Sequence, residues 1–336
     1  MYIWDTLNKT IMVTYRLKTL EAGKVPLEMR VPYVNTGYRK LYQPWEYYLH
    51  SLFHLHNETI NVWTHLIGCV VIIFQTYTYY RIYADEDAAI KGTVLGFGLC
   101  CFITLFNSAT AHLLHSKSCH TNFLVFMFDY IGVVSWGYGT AILSLYGVSS
   151  KSMYDWLGSN FVVIQIVWTY LNFINICLAK LWYGHDLSLS QRKIMIVVGI
   201  SIQGLWNFIP FFPRYINCYK SQVCELSSLN HVTIVCVSFA FMTLTFVLHQ
   251  PERLKPGMFD IVGQSHQIFH VFVILTMTLQ FRALYVDFET KSNLHCKPNV
   301  TELLFCIFLL NSSCLVTLCY FRERVKRKLD NNNKEK

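Results

Sequence analysis

From residue 58 to residue 321 the chain repeats one pattern: apolar runs of roughly 20 residues, enough for a helix to cross a hydrocarbon core of about 30 Å, separated by polar segments. Lipid offers the backbone no hydrogen-bond partner, so each run must satisfy its own N–H and C=O groups as a helix. Spans are predicted at about 59–80, 92–114, 122–147, 159–182, 193–213, 229–249, 261–283 and 301–321. The expected fold is an all-α integral membrane bundle of seven helices with an eighth transmembrane helix added at the C-terminal end. Pro210 and Pro213 predict a kink or early end in the fifth span.

The spans divide the chain into an N-terminal segment 1–57, a core 58–283, a loop 284–300, the eighth helix 301–321 and a basic tail 322–336. The opening MYIWDTLNKTIMVTYRLKTL lacks an apolar core followed by a small-residue cleavage site, so the first span is expected to direct insertion. Only 14% of residues are charged against 53% hydrophobic, well below the roughly 25% charged of a soluble domain.

The net charge of +8 does not indicate nucleic acid, because half of the Lys and Arg residues lie in the two terminal segments and none falls in a recognition motif. Topology explains it better. With the N-terminus inside, 20 of the 28 Lys and Arg residues fall on the cytoplasmic side, which predicts both termini cytoplasmic and an even number of spans. The acidic run Asp85-Glu86-Asp87 then falls outside.

Twelve cysteines are too dispersed for a zinc-finger spacing, and most lie within spans. Cys218, Cys224 and Cys296 fall in loops assigned to the oxidising side, which predicts a disulfide among them without fixing its partners. Of the sequons at Asn8, Asn57, Asn299 and Asn311, only Asn299 is placed to carry a glycan.

Ionisable residues inside a span are expensive and mark function. Here they converge on one side of the membrane. The first span opens with Glu58, Asn61 and His65 on one face, the second ends with Ser108 and His112, and the third carries Asp129 near its start. The seventh carries His266 and His270 at i, i+4, with Asp260 at its entrance. A single such histidine is more often hydrogen-bonded core than ligand. Three at similar depth are seldom needed for packing, and His112, His266 and His270 with an open fourth position match the composition of a catalytic-type zinc site. Nitrogen ligands alone would also suit copper, nickel or iron. Asp129 is placed to hold a water on the metal and Ser108 to orient it, while Glu58, Asn61, His65 and Asp260 stand behind the ligands. His115, His120, His231 and His249 are set aside: the first two lie near the boundary, the others lack a matching partner.

The stretches that carry these residues are HNETINVWTHLIG at 56–68, NSATAHLLHSKS at 107–118, FDYIGV at 128–133 and PERLKPGMFDIVGQSHQIFHVFVI at 251–274. Together they resemble the progestin and adipoQ receptor family, within the larger set of membrane proteins that includes alkaline ceramidases. VPYVNTGYR, PWEYYLHSLFHLHNE and IVGQSHQIFH are similar to the membrane progestin receptor branch, and the chain lacks the longer acidic N-terminal region of the adiponectin receptors. The resemblance implies a seven-helix core of the adiponectin receptor/ceramidase type, with Zn2+ on residues matching His112, His266 and His270 and a water near Asp129. It also implies a cell-membrane receptor for progestogen steroids that signals through a heterotrimeric G protein.

Phe126, Trp136, Tyr138, Trp168 and Trp206 would suit the lining of an apolar steroid cavity or plain core packing. The competing expectation is an intramembrane zinc hydrolase that cleaves the amide of a ceramide-like sphingolipid, with Asp129 as acid/base. The helix-seven motif reads His-Gln-Ile-Phe-His without the adjacent Glu of a metalloprotease, so such a base must come from another helix. A structural metal clamp without ligand or catalysis is the third reading.

Overall fold

The computed structural model describes residues 18–83, 88–182, 187–221, 224–290 and 298–334. Asn8, the run at 85–87 and Cys296 lie outside the described residues.

Eight long helices carry the chain: α1 (Thr59–Ile82), α2 (Ala88–Leu114), α3 (Cys119–Ile142), α4 (Lys151–Trp182), α5 (Leu189–Phe208), α6 (Asn230–Leu248), α7 (Ser265–Thr290) and α8 (Val300–Lys334). Seven are long and apolar enough to cross a membrane by themselves, and α5 with the short helix Phe212–Lys220 makes an eighth if the bent pair is one span. The protein is therefore an all-helical, multi-pass membrane protein, as the apolar periodicity requires.

The helix ends follow local chemistry. Ser188 accepts from the Gln191 backbone while the Gln191 side chain reaches back, a capping box that starts α5 four residues before its predicted span. The expected break near Pro210 is real: α5 stops at Phe208, Pro213 sits in the first turn of Phe212–Lys220, and the two axes differ by 51°. Gly158 in α4 takes φ 48° and ψ −147°, which side chains with a Cβ avoid, so α4 is broken there below its main apolar run. At the start of α7, Glu252 accepts from Ser265 N at 2.8 Å and from the Ser265 hydroxyl.

Sequence neighbours pair from α1 to α5, and α7 packs on both α6 and α1. The α2–α3 contact is backbone-close. A Cβ at Gly132 would stand 2.7 Å from Thr104 Cα, and Thr104 Oγ1 donates to Gly132 O at 2.8 Å. α8 lies against α2, α3 and α4, and its inner contacts extend to Phe321 and Val325. A polar seam joins α3, α4 and α5: Gln165 and Asn207 donate to Gly137 O, Gln203 donates to Thr169, and Asn172 donates to Gln203.

The two ends of the bundle are fastened differently. At one, residues 18–58 fold into a cap with a Leu20–Tyr38 bridge and a small core of Val25, Met29, Val34 and Tyr38. At the other, Arg214 reaches both oxygens of Asp287 at 2.6 and 2.8 Å and also donates to Val148 O, while His231 Nε2 lies 3.0 Å from Asp287 Oδ1. The Cys218–Cys224 disulfide closes the adjoining loop, with Cα atoms 5.0 Å apart. It pairs two of the three loop cysteines singled out above.

Candidate metal centre

The packing of α7 on α1 sets the site, because it brings residues from the seventh span against those of the first two. His266 and His270 are one turn apart on α7, and His112 faces them from the last turn of α2. His112 Nε2 is 3.3 Å from His266 Nε2, which is 3.2 Å from His270 Nε2. Ligands about 2.0–2.1 Å from a tetrahedral zinc stand roughly 3.3–3.4 Å from one another, so these separations fit that ion. His112 and His270 are 2% and 1% exposed, and the trio forms a group able to hold a metal ion.

In His112 and His270 the opposite ring nitrogen is committed elsewhere, which leaves their Nε2 lone pairs for a metal. His112 Nδ1 is 2.7 Å from Glu58 Oε2, a carboxylate that can only accept, so the proton sits on Nδ1. His270 Nδ1 is 3.2 Å from the Asn61 carbonyl and is fixed in the same way. Carboxylate and carbonyl partners of this kind orient metal-binding imidazoles. Asn61 Nδ2 donates to Glu58 Oε2 at 2.6 Å, so Glu58 and Asn61 stand together behind His112 and His270. His65 stacks on His270 with ring centroids 3.6 Å apart, and both of its buried ring nitrogens lack a hydrogen-bond partner.

Asp129 is buried within electrostatic reach of His112 and of the Ser108 side chain, so α2 and α3 bring together the two residues singled out for positioning water. Asp260 is different. It was expected behind the ligands, but Oδ1 accepts from Asn35 N at 3.0 Å and Oδ2 from Thr36 Oγ1 at 2.6 Å. It anchors the cap, because the turn before α7 directs its side chain toward the N-terminal segment.

Two contributors escaped the sequence reading. Arg39 is fully buried and donates to His112 O at 2.6 Å, Leu113 O at 2.5 Å and Ser51 Oγ at 2.9 Å, closing the last turn of α2. Burial lowers its pKa to about 10, so it remains a guanidinium at neutral pH. The other is His115, whose Nε2 lies 3.5 Å from Glu58 Oε1. An arginine in a segment without periodicity carries no signal, whereas His115 was visible but misplaced as a boundary loop residue.

A polytopic bundle with three histidines shared between its second and seventh spans defines a class of membrane protein, and the family model for haemolysin-III-related proteins matches residues 53–281, from just before Glu58 to the middle of α7. The chain belongs to this family, that of the progestin and adipoQ receptors. Within it, membrane progestin receptors are among the relatives. The chain is 29% identical to human membrane progestin receptor beta over 316 residues, covering 93% of this chain and 89% of that one. It is 29% identical to human membrane progestin receptor alpha over 326 residues, covering 94% and 91%. With membrane progestin receptor alpha of Cynoscion nebulosus it shares 31% over 322 residues, covering 93% and 89%.

Proposed function

We propose that the protein is a cell-membrane receptor for progestogen steroids that holds one zinc ion on His112, His266 and His270. The observation that carries the receptor reading is the reach of the similarity: it covers 93% of the chain, beyond the 53–281 core that the wider family shares. A progestogen presents carbonyl acceptors on an apolar frame, and such a ligand needs buried donors inside an apolar bundle. The seam between α3, α4 and α5 has one, since Trp206 Nε1 is buried without a hydrogen-bond partner beside the Phe161 ring. Shift of a helix equilibrium by bound steroid would then pass to a heterotrimeric G protein at the cytoplasmic face.

A second reading is supported by Asp129, which lies near His112 and Ser108 and makes no ion pair with Lys or Arg among the described residues. Zinc, when bound, supplies Lewis-acid polarisation of a carbonyl oxygen. Asp129 would hold a proton beside it, and a ceramide-like sphingolipid entering from the bilayer is the matching substrate.

Labelled progesterone titrated in lipid discs should bind saturably to wild type and to Asp129→Asn. Trp206→Phe should weaken binding about fivefold, since a lost hydrogen bond of this kind is worth about 1 kcal/mol. A parallel ceramide-hydrolysis assay separates the readings: no saturable steroid binding, with hydrolysis that disappears in Asp129→Asn, would replace the receptor by the hydrolase.

The excess of Lys and Arg in alternate segments supports cytoplasmic placement of both termini. An antibody to an N-terminal tag should label cells only after permeabilisation, and labelling of intact cells would invert the topology.

A further inference from the structure

Behind His112 runs a line of buried polar side chains that reaches across three helices. Lys180, 8% exposed at the end of α4, has its Nζ 2.9 Å from Asn122 Oδ1 on α3 and 4.7 Å from the centre of the Phe126 ring. Asn122 Nδ2 is 3.1 Å from His115 Nδ1, in the turn after α2. His115 Nε2 faces Glu58 Oε1 at 3.5 Å and Ser116 Oγ at 3.3 Å. Glu58 Oε2 then meets His112 Nδ1 at 2.7 Å.

The line has a direction. Lys180 Nζ donates to the Asn122 carbonyl oxygen. The Asn122 amide nitrogen is thereby turned to His115 and must donate to Nδ1. With Nδ1 accepting, the neutral His115 ring carries its proton on Nε2 and offers it to Glu58 and Ser116. Glu58, as a carboxylate, accepts from His115 on one oxygen and from His112 on the other. Each step leaves one choice for the next.

We propose that Lys180, Asn122 and His115 form a positioning relay whose polarity fixes His115 as an Nε2–H donor to Glu58, the side chain whose other oxygen holds His112 Nδ1 and turns its Nε2 toward His266 and His270. None of the three touches the metal position. The consequence for metal affinity rests on the zinc reading above, but the tautomers belong to the metal-free chain as well. The relay gives a function to a lysine that lies buried in an apolar bundle without a salt bridge to any carboxylate among the described residues, an arrangement that is costly unless used.

Asn122→Asp tests this with almost no change of shape: it offers acceptors on both sides, so it demands a proton on His115 Nδ1 and sets the His115 Nε2 lone pair against Glu58. In metal-free protein labelled with 15N-histidine, with signals assigned from His112→Gln and His115→Gln, wild type should show Nδ1–H on His112 and Nε2–H on His115. Asn122→Asp should move His115 away from the Nε2–H form and lower zinc affinity roughly 10–100-fold, the usual effect of disturbing a ligand's outer partner. Lys180→Met should do the same to a smaller degree, and Lys180→Arg, which keeps a donor at that end of the line, should recover both readouts. Packing loss alone would lower the melting temperature without moving the tautomers. Wild-type His115 protonated on Nδ1, or wild-type tautomers and zinc affinity in folded Asn122→Asp and Lys180→Met, would overturn the relay. Folded wild type with the stated tautomers but no zinc binding would support the relay and remove the zinc reading instead.

Discussion

Replacing His266 and His270 together by Ala should take the purified protein from about one zinc per chain to none. Both side chains project from one turn of α7 and each presents Nε2 to the trio, so the double variant leaves His112 as the only imidazole of the three. A protein site of three nitrogens binds zinc through the summed effect of its ligands, and one imidazole cannot hold the ion against dialysis. The helix itself should persist, because Ala is the strongest helix former and α7 keeps its contacts with α1 and α6. Elemental analysis of the monodisperse peak decides it, and stoichiometric zinc in the double variant would show that the ion lies elsewhere.

The largest loss of stability is expected at the opposite end of the bundle, from Asp287→Asn. Asp287 is 1% exposed and receives two hydrogen bonds from Arg214 and one contact from His231. Removing its charge while keeping its volume leaves the Arg214 guanidinium, itself largely buried, without a counter-ion, a change that costs about 3–5 kcal/mol. Denaturant unfolding in detergent should show that loss with zinc content unchanged, since the ion pair and the histidine trio lie at opposite ends of α7. A loss below about 1 kcal/mol would mean that Arg214 finds another partner, for example through its existing bond to Val148 O.

The spans were legible because lipid imposes length and composition on each, and the trio because ionisable residues inside spans are rare enough to be enumerated. Helix ends were less so. α4 begins at Lys151 rather than near 159, and α8 runs on to Lys334 where hydropathy predicts an end near 321, since a helix can continue into water once polar residues replace apolar ones. The supporting shell was legible only in part. Glu58 and Asn61 could be placed because they share a helical face with His65, and regular spacing projects into space. Arg39, Asn122 and Lys180 could not, because what joins them is contact between elements, which no periodicity encodes. Asp260 misled for the same reason: nearness in sequence to His266 does not fix the side to which a turn residue points.

The connectivity of the centre also bears on how the protein is made. His112 and His266 are 154 positions apart, and α7 is the element that packs on α1. Spans enter the membrane in the order of synthesis, so Glu58 and His112 are in place, joined to each other, while four further spans are still being delivered. The pair satisfies its own polarity in the interim, which lets the first two helices reside in the bilayer before their histidine partners exist. Completion of the trio is thus among the last events of biogenesis, and a ribosome that stops short of α7 releases a chain with helices in the membrane and no centre.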